Sequence, residues 1–184
     1  MIIIGLTGTL GAGKGTVVDY LVQNLGYHHY SVREFLTEEI KKRGMDVNRD
    51  SMVVVANNLR AKYSPSYIVE QLYLSAKESG GNCVIESIRT PGEVDMLAIQ
   101  PNFHLFAVDA DPKTRYNRIS IRKSETDNIS FDKFIQNEER EMTSDDPNKQ
   151  NISKCIEMSE HTFLNNTSID ELYDQINSYL TKIR

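Results

Sequence analysis

The chain has 184 residues, 39% of them hydrophobic and 26% charged, with a formal net charge of −5. That length buries one proper core and is short for two, so residues 1–184 are expected to form a single domain. The acidic balance argues against a general nucleic-acid binder, which feeds on broad positive potential, and no apolar run approaches the ~20 residues of a membrane span.

Met1 to Leu6 is too short for a signal segment and lacks a basic flank, so a soluble, cytoplasmic protein is expected. Cys83 and Cys155 have no framework spacing and read as reduced thiols.

In chain order, Ile2 to Leu6 predicts a buried first strand. It runs into Gly8-Thr9-Leu10-Gly11-Ala12-Gly13-Lys14-Gly15-Thr16, a G-x-x-x-x-G-K spacing. Phosphate oxygens need several N–H donors converging on one point, and a glycine-rich loop can turn its amides inward. Lys14 adds a cation, and the helix opening there turns its positive end to the anion. Gly15 stands where the general pattern has Ser or Thr as a magnesium ligand, and the hydroxyl follows at Thr16.

Val17, Val18, Leu21, Val22 and Leu25 make a helical stripe closed by Gly26. His28 to Ser31 predicts a second strand, and Val32, Phe35, Leu36 and Ile40 a helix ending near Gly44. Met52, Val55 and Leu59 keep the helical period through a β-branched run, with Ser51 as cap. Ser64-Pro65 reads as a cap and first helical position before Ile68, Val69, Leu72, Tyr73 and Ala76. Cys83 to Ile85 predicts a buried strand, and Thr90-Pro91-Gly92-Glu93 a capping box. Phe103 to Val108 is the next strand, followed by a helix from Pro112 to Ser124 capped at Asp111. Thr162 to Leu164 is the last strand, and Ser168 opens a terminal helix with Leu172, Ile176, Leu180 and Ile183 inward.

Alternation of strands and helices about five times implies right-handed crossovers and an α/β architecture: three α/β/α layers around a mainly parallel sheet of about five strands. Ligands in such sheets bind beyond the carboxyl ends of the strands. Glu86 and Arg89 follow the third strand and can face the phosphates. The helix after the fourth strand carries Lys113, Arg115, Arg118, Arg122 and Lys123 with no acid among them. At 100° per residue Arg115, Arg118 and Arg122 share an arc of about 60°, where like charges repel unless an anion offsets them.

The Gly11-Ala12-Gly13-Lys14-Gly15-Thr16 ending resembles the loop of nucleoside monophosphate kinases, and Gly5-Leu6-Thr7-Gly8 looks like the approach to the loop in dephospho-coenzyme A kinase. Glu86-Ser87-Ile88-Arg89 resembles the Asp-Gly-Phe-Pro-Arg segment of monophosphate kinases, with Glu in place of Asp and no proline before the arginine. That resemblance implies Glu86 holding water on magnesium and Arg89 gripping acceptor phosphate. Arg118-Ile119-Ser120-Ile121-Arg122 resembles the segment opening the lid of adenylate-kinase-like enzymes. It implies Arg118 over the donor base and Arg122 on its phosphates.

Ser31, Arg33 and Glu34, with Arg60, occupy the place of the monophosphate-binding helices, which gives an acceptor-binding part over about 32–80. Thr37 stands where those enzymes place their first arginine, so Arg33 would substitute. Polar stretches Lys123 to Ser130 and Thr143 to Asn151 are expected to hinge a small helical lid over about 123–151. Neither stretch is expected to build core. Arg140 between them is a further candidate cation for the transition state. The run from Asn148 to Asn166 is similar to dephospho-coenzyme A kinase, whose last strand ends in an asparagine near the adenine.

The implied protein is an ATP- and Mg2+-dependent kinase of a small nucleotide, with no nucleic-acid or membrane partner. Gly8, Gly11, Ala12, Gly13, Lys14, Gly15, Thr16, Arg118 and Arg122 would bind ATP, and Thr16 and Glu86 the magnesium. Ser31, Arg33, Glu34, Arg60 and Arg89 would bind the acceptor, with Lys14, Arg89 and Arg122 acting on the transferred group. Two alternatives stand beside it. A dephospho-coenzyme A kinase would need a base after the second strand, for which Glu34 is the candidate. A nucleotide-dependent switch or ATPase would transfer phosphate to water alone.

Overall fold

A computed structural model describes residues 1–122 and 129–183. The first strand, β1 (Ile3–Gly8), is buried along its whole length and takes the centre of the sheet. Helix α1 (Lys14–Leu25) leads to β2 (His28–Ser31), and α2 (Val32–Lys42), α3 (Arg49–Lys62) and α4 (Tyr67–Ser79) separate β2 from β3 (Cys83–Glu86). Helix α5 (Pro91–Ala98) precedes β4 (Phe103–Asp109), and α6 (Pro112–Arg122), α7 (Phe131–Met142) and α8 (Ile152–Glu157) precede β5 (His161–Leu164) and α9 (Ile169–Ile183).

The strands lie in the order β2-β3-β1-β4-β5 and every pairing is parallel. Strands buried on both faces need apolar residues at every position rather than alternate ones. Two cores result. Ile3, Cys83, Ile85 and Leu105 face α2, α3, α4, α5 and α8. Ile4, Leu6, Val84, Phe106, Val108 and Phe163 face α1 and α9. The two outer helices are tied by the Tyr20 hydroxyl, which donates to Asn177 Oδ1 at 2.6 Å.

Local chemistry sets the helix ends. Gly26 adopts φ 70° behind α1, as the αL cap of a glycine does. The capping box at Thr90 and Glu93 is formed in both directions. Elsewhere the starts shift. Helix α3 is capped by Asn48, whose Oδ1 accepts from Ser51 N at 2.9 Å, so Ser51 lies inside the helix. Helix α4 begins at Tyr67, and Ser64 Oγ instead donates to Glu70 at 3.1 Å.

Helix α8 has no counterpart in the sequence reading. It packs under β1, buries Ile152 and places Cys155 in the first core. The polar stretch before it is not all surface: Gln150 is buried, and Asn151 N donates to Arg89 O at 2.8 Å. Both thiols are free and buried, and burial pushes them up to about 11 at Cys83 and about 12 at Cys155. Of the expected first hinge, residues 123–128 lie outside the described residues.

Candidate active site

The phosphate loop spans the end of β1 to the start of α1, and its glycines are demanded by close approach. A Cβ on Gly8, at φ +125°, would lie 2.0 Å from Val108 O, and one on Gly13, at φ +102°, would lie 2.2 Å from Asn165 Nδ2. Gly15 meets nothing within 4 Å, so its side of the loop is open. Lys14 Nζ folds back onto the loop and donates to Gly8 O at 2.9 Å and Thr9 O at 2.8 Å. Burial of that ammonium, with Arg89 nearby, pulls its pKa down to about 7 against the carboxylates of Glu86 and Glu141.

A cavity of about 560 Å³ extends from this loop to α2 and α3. Gly11, Gly13, Lys14, Gly15 and Thr16 line it, together with Glu86, Arg89, Arg33, Arg60, Arg118 and Arg122. Most of the candidate residues are thus brought to one space. Gly8 and Ala12 are not on the wall. Gly8 supplies a carbonyl to Lys14, and Ala12 is buried, its carbonyl accepting from Asn165 Nδ2 at 2.8 Å.

The carboxylate side of the cavity centres on Glu86. Ser31 Oγ donates to Glu86 Oε1 at 3.1 Å, and His29 Nε2 lies 3.7 Å from the same oxygen. Burial opposes ionisation of Glu86, but the His29 interaction, with help from Lys14 and Ser31, outweighs it and holds the carboxyl below its ordinary range. An ionised carboxylate and the Thr16 hydroxyl on one cavity are hard oxygen donors of the kind magnesium takes. Ser31 therefore acts through Glu86 and as the cap of α2, accepting from Glu34 N at 3.2 Å. Glu34 itself is exposed on the first turn and is not on the cavity wall.

Ser87 has φ +66°, the left-handed backbone that favours glycine. The segment after β3 thus turns through a conformation that favours glycine, and Ile88 is buried just before Arg89. Arg89 Nη1 donates to Glu141 Oε2 at 2.6 Å and to Gln150 Oε1 at 2.8 Å. Arg60 is 1% exposed and donates through Nε and Nη2 to Glu93 Oε1, at 3.1 and 2.7 Å. Its Nη1 is buried with no partner among the described residues. Arg118 Nη2 donates to Asn165 Oδ1 at 3.3 Å, and its Nη1 is likewise buried and unpartnered. A buried guanidinium N–H without an acceptor is costly unless a ligand oxygen completes it.

The cationic stripe of α6 is divided. Arg115 turns away from the cavity and is buried against Glu138 of α7, with Nε donating to Ala110 O at 2.6 Å and Nη2 to Glu138 Oε2 at 3.2 Å. The acid missing from α6 itself is supplied by α7, which spacing along α6 could not reveal. Arg140 is also removed from the site: it is exposed and pairs with Asp50 at 3.0 Å.

Arg49, Glu141 and Gln150 also line the cavity and are not among the site residues read from the sequence. Glu141 Oε1 and Oε2 accept from Arg49 Nη2 at 2.7 and 2.8 Å. One signal was available, since Phe134, Asn137 and Glu141 share a face of α7 and all three are buried.

The sheet order, the phosphate loop and the carboxylate after β3 together define a P-loop NTPase of the small-kinase fold. A family profile described as an AAA domain, AAA_18, matches residues 4–144. The UPF0200 protein of Methanothermobacter thermautotrophicus is 30% identical over 100% of this chain and 91% of its own length, and the chain belongs to the UPF0200 family. The UPF0200 protein of Methanocaldococcus jannaschii is 24% identical over 100% of this chain and 91% of its own. Among solved structures, TT1252 from Thermus thermophilus superposes with TM-score 0.66 at 16% identity, covering 100% of this chain and 98% of its own. Shikimate kinase from Bacteroides thetaiotaomicron gives 0.64 at 14%, covering 98% of each. At such identity the likeness is one of fold.

Proposed function

We propose that this protein is a magnesium- and ATP-dependent kinase that phosphorylates a small nucleotide acceptor. The observation that carries the reading is the single cavity that joins the phosphate loop to an arginine cluster after β3 and on α3. Phosphoryl transfer asks for positioning and charge neutralisation more than for covalent chemistry. Loop amides and Lys14 hold the donor's terminal phosphates, and Arg118 and Arg122 hold the rest of the donor. Thr16 and Glu86 would hold the cation, which would supply charge neutralisation to the donor when bound. Arg89, with Arg33 and Arg60, holds the acceptor.

The names of two structural relatives, a shikimate kinase and a gluconokinase from Sinorhizobium meliloti of TM-score 0.59, support a small-molecule acceptor. A neutral hydroxyl acceptor benefits from a base, and the exposed position of Glu34 outside the cavity weighs against the dephospho-coenzyme A reading. The test is coupled ADP release from Mg-ATP with a panel of ribo- and deoxynucleoside monophosphates, dephospho-coenzyme A and no acceptor. Strong dependence on one monophosphate supports the proposal. Turnover with dephospho-coenzyme A alone, or acceptor-independent hydrolysis, refutes it in favour of the corresponding alternative.

A further inference from the structure

The far end of the cavity carries more cation than a structural role requires. Arg49, Arg60 and Arg89 converge there on two buried carboxylates. Glu141 (side chain 3% exposed) binds Arg49 and Arg89. Glu93 (0% exposed) binds Arg60, and its Oε2 also accepts from Arg89 N at 2.8 Å. Three guanidinium groups against two carboxylates leave one positive charge in excess, in a place where low dielectric magnifies it. Burial accordingly lowers the pKa of Arg49 despite the Glu141 partner, with Arg89 adding to the fall.

Two donors are left over. Arg49 Nε and Arg60 Nη1 are buried without a partner among the described residues, and both arginines line the cavity. Helix α3 explains their placement. Arg49, Met52, Val53, Ala56 and Arg60 all reach the cavity wall, and they recur at the spacing of one helical face. That face is apolar in the middle and cationic at its ends. Glu141 in turn belongs to α7, so the pair bridges two helices across a separation of 92 residues in sequence.

We propose that Arg49 and Arg89, set side by side by Glu141, clamp an anionic group of the acceptor, and that Glu141 is a positioning residue for this clamp. The inference deepens the kinase reading and rests on it for the word acceptor. The ligand chemistry is an oxyanion, a phosphate monoester or a carboxylate, attached to a body that covers Met52, Val53 and Ala56. A neutral polyol does not fit, because it leaves the excess charge and the two N–H groups uncompensated.

The experiment uses the full chain, with the donor site saturated by magnesium and a non-hydrolysable ATP analogue. Binding of each nucleoside monophosphate, shikimate, gluconate, glycerol and inorganic phosphate is measured by calorimetry, and KM and kcat are measured with ATP for each ligand that supports turnover. Because Arg49→Met alone leaves Glu141 underpaired, the Arg49→Met/Glu141→Gln double variant is compared with it, and Arg49→Lys is the conservative rescue. The expected result is an oxyanion ligand whose KM rises about tenfold or more in the double variant, with kcat changed less than about threefold. The Arg49→Lys variant recovers part of the loss, Glu141→Gln alone weakens the same ligand, and analogue affinity stays within about twofold.

The phosphate and carboxylate arms distinguish the two sources of the anion, and a carboxylate acceptor would sink the nucleotide reading while leaving the clamp. If no compound supports turnover, the kinase reading fails, and the clamp is judged by whether inorganic phosphate binding depends on Arg49. An unchanged KM or phosphate affinity in the double variant, no oxyanion binding at all, or preference for glycerol overturns the proposal.

Discussion

The pKa of Lys14 gives a prediction whose size follows from the structure. Its ammonium is pulled down to about 7 from the usual 10.5. A lowered lysine is a cost to the fold while it is charged. That cost is fully present below pH 7 and is relieved as pH rises from 7 towards 10.5. Donor phosphates reverse the balance, because an anion beside Nζ favours the charged form and restores a high pKa. Nucleotide binding therefore takes up a proton wherever the buried lysine has lost one. With a pKa about 7, Lys14 is about one-tenth protonated at pH 8, so Mg-ATP binding should take up about 0.9 proton there and only about 0.1 at pH 6. Well above pH 7 the affinity should fall by up to about tenfold per pH unit, or about 1.4 kcal/mol. Calorimetric titration in two buffers of different ionisation heat measures the uptake directly. The same titration on Lys14→Met, at concentrations that still give binding, subtracts protons exchanged by the nucleotide itself. Uptake near zero at pH 8, or uptake equal in the two proteins, would refute the argument that burial neutralises Lys14.

Replacing both Arg118 and Arg122 with Gln should shrink the rise in melting temperature on adding Mg-ATP, since a ligand stabilises by its affinity for the native state; a full shift in that variant would remove both from the donor site. Gly13→Ala forces its Cβ onto Asn165 Nδ2 at 2.2 Å and should cut nucleotide affinity by about tenfold or more, whereas Gly15→Ala should leave thermal stability as it was; equal effects in the two variants would contradict the close-approach account. Glu93→Gln removes the charge opposite buried Arg60 and should cost about 3–5 kcal/mol in urea unfolding; a loss under about 1 kcal/mol would show the pair to be structurally minor.

Local features of this protein were legible in the chain because they are decided locally. The glycine run and Lys14 are fixed by backbone sterics and one cation. The apolar strands, the αL cap at Gly26 and the capping box at Thr90 need only a few neighbouring residues to form. The α/β alternation then left few topologies open, and the parallel five-stranded sheet is one of them. Placement of Glu86 and Arg89 at a strand's carboxyl end followed from that architecture.

What the tertiary structure decided was which charges meet. Arg115, Arg118 and Arg122 look alike along α6, but Glu138 arrives from another helix and takes Arg115 alone into a buried pair. Among the acids of α7, Glu138 and Glu141 lie on the face of Phe134 and are turned inward while Glu139 is exposed; helical spacing marks that face, but only the helix's docking decides which arginine each acid meets. Arg49 acquires its place from Glu141, and Arg60 from Glu93, across separations of 92 and 33 residues. The energy of a charge depends on its burial and its partner, and neither quantity exists until the helices are packed.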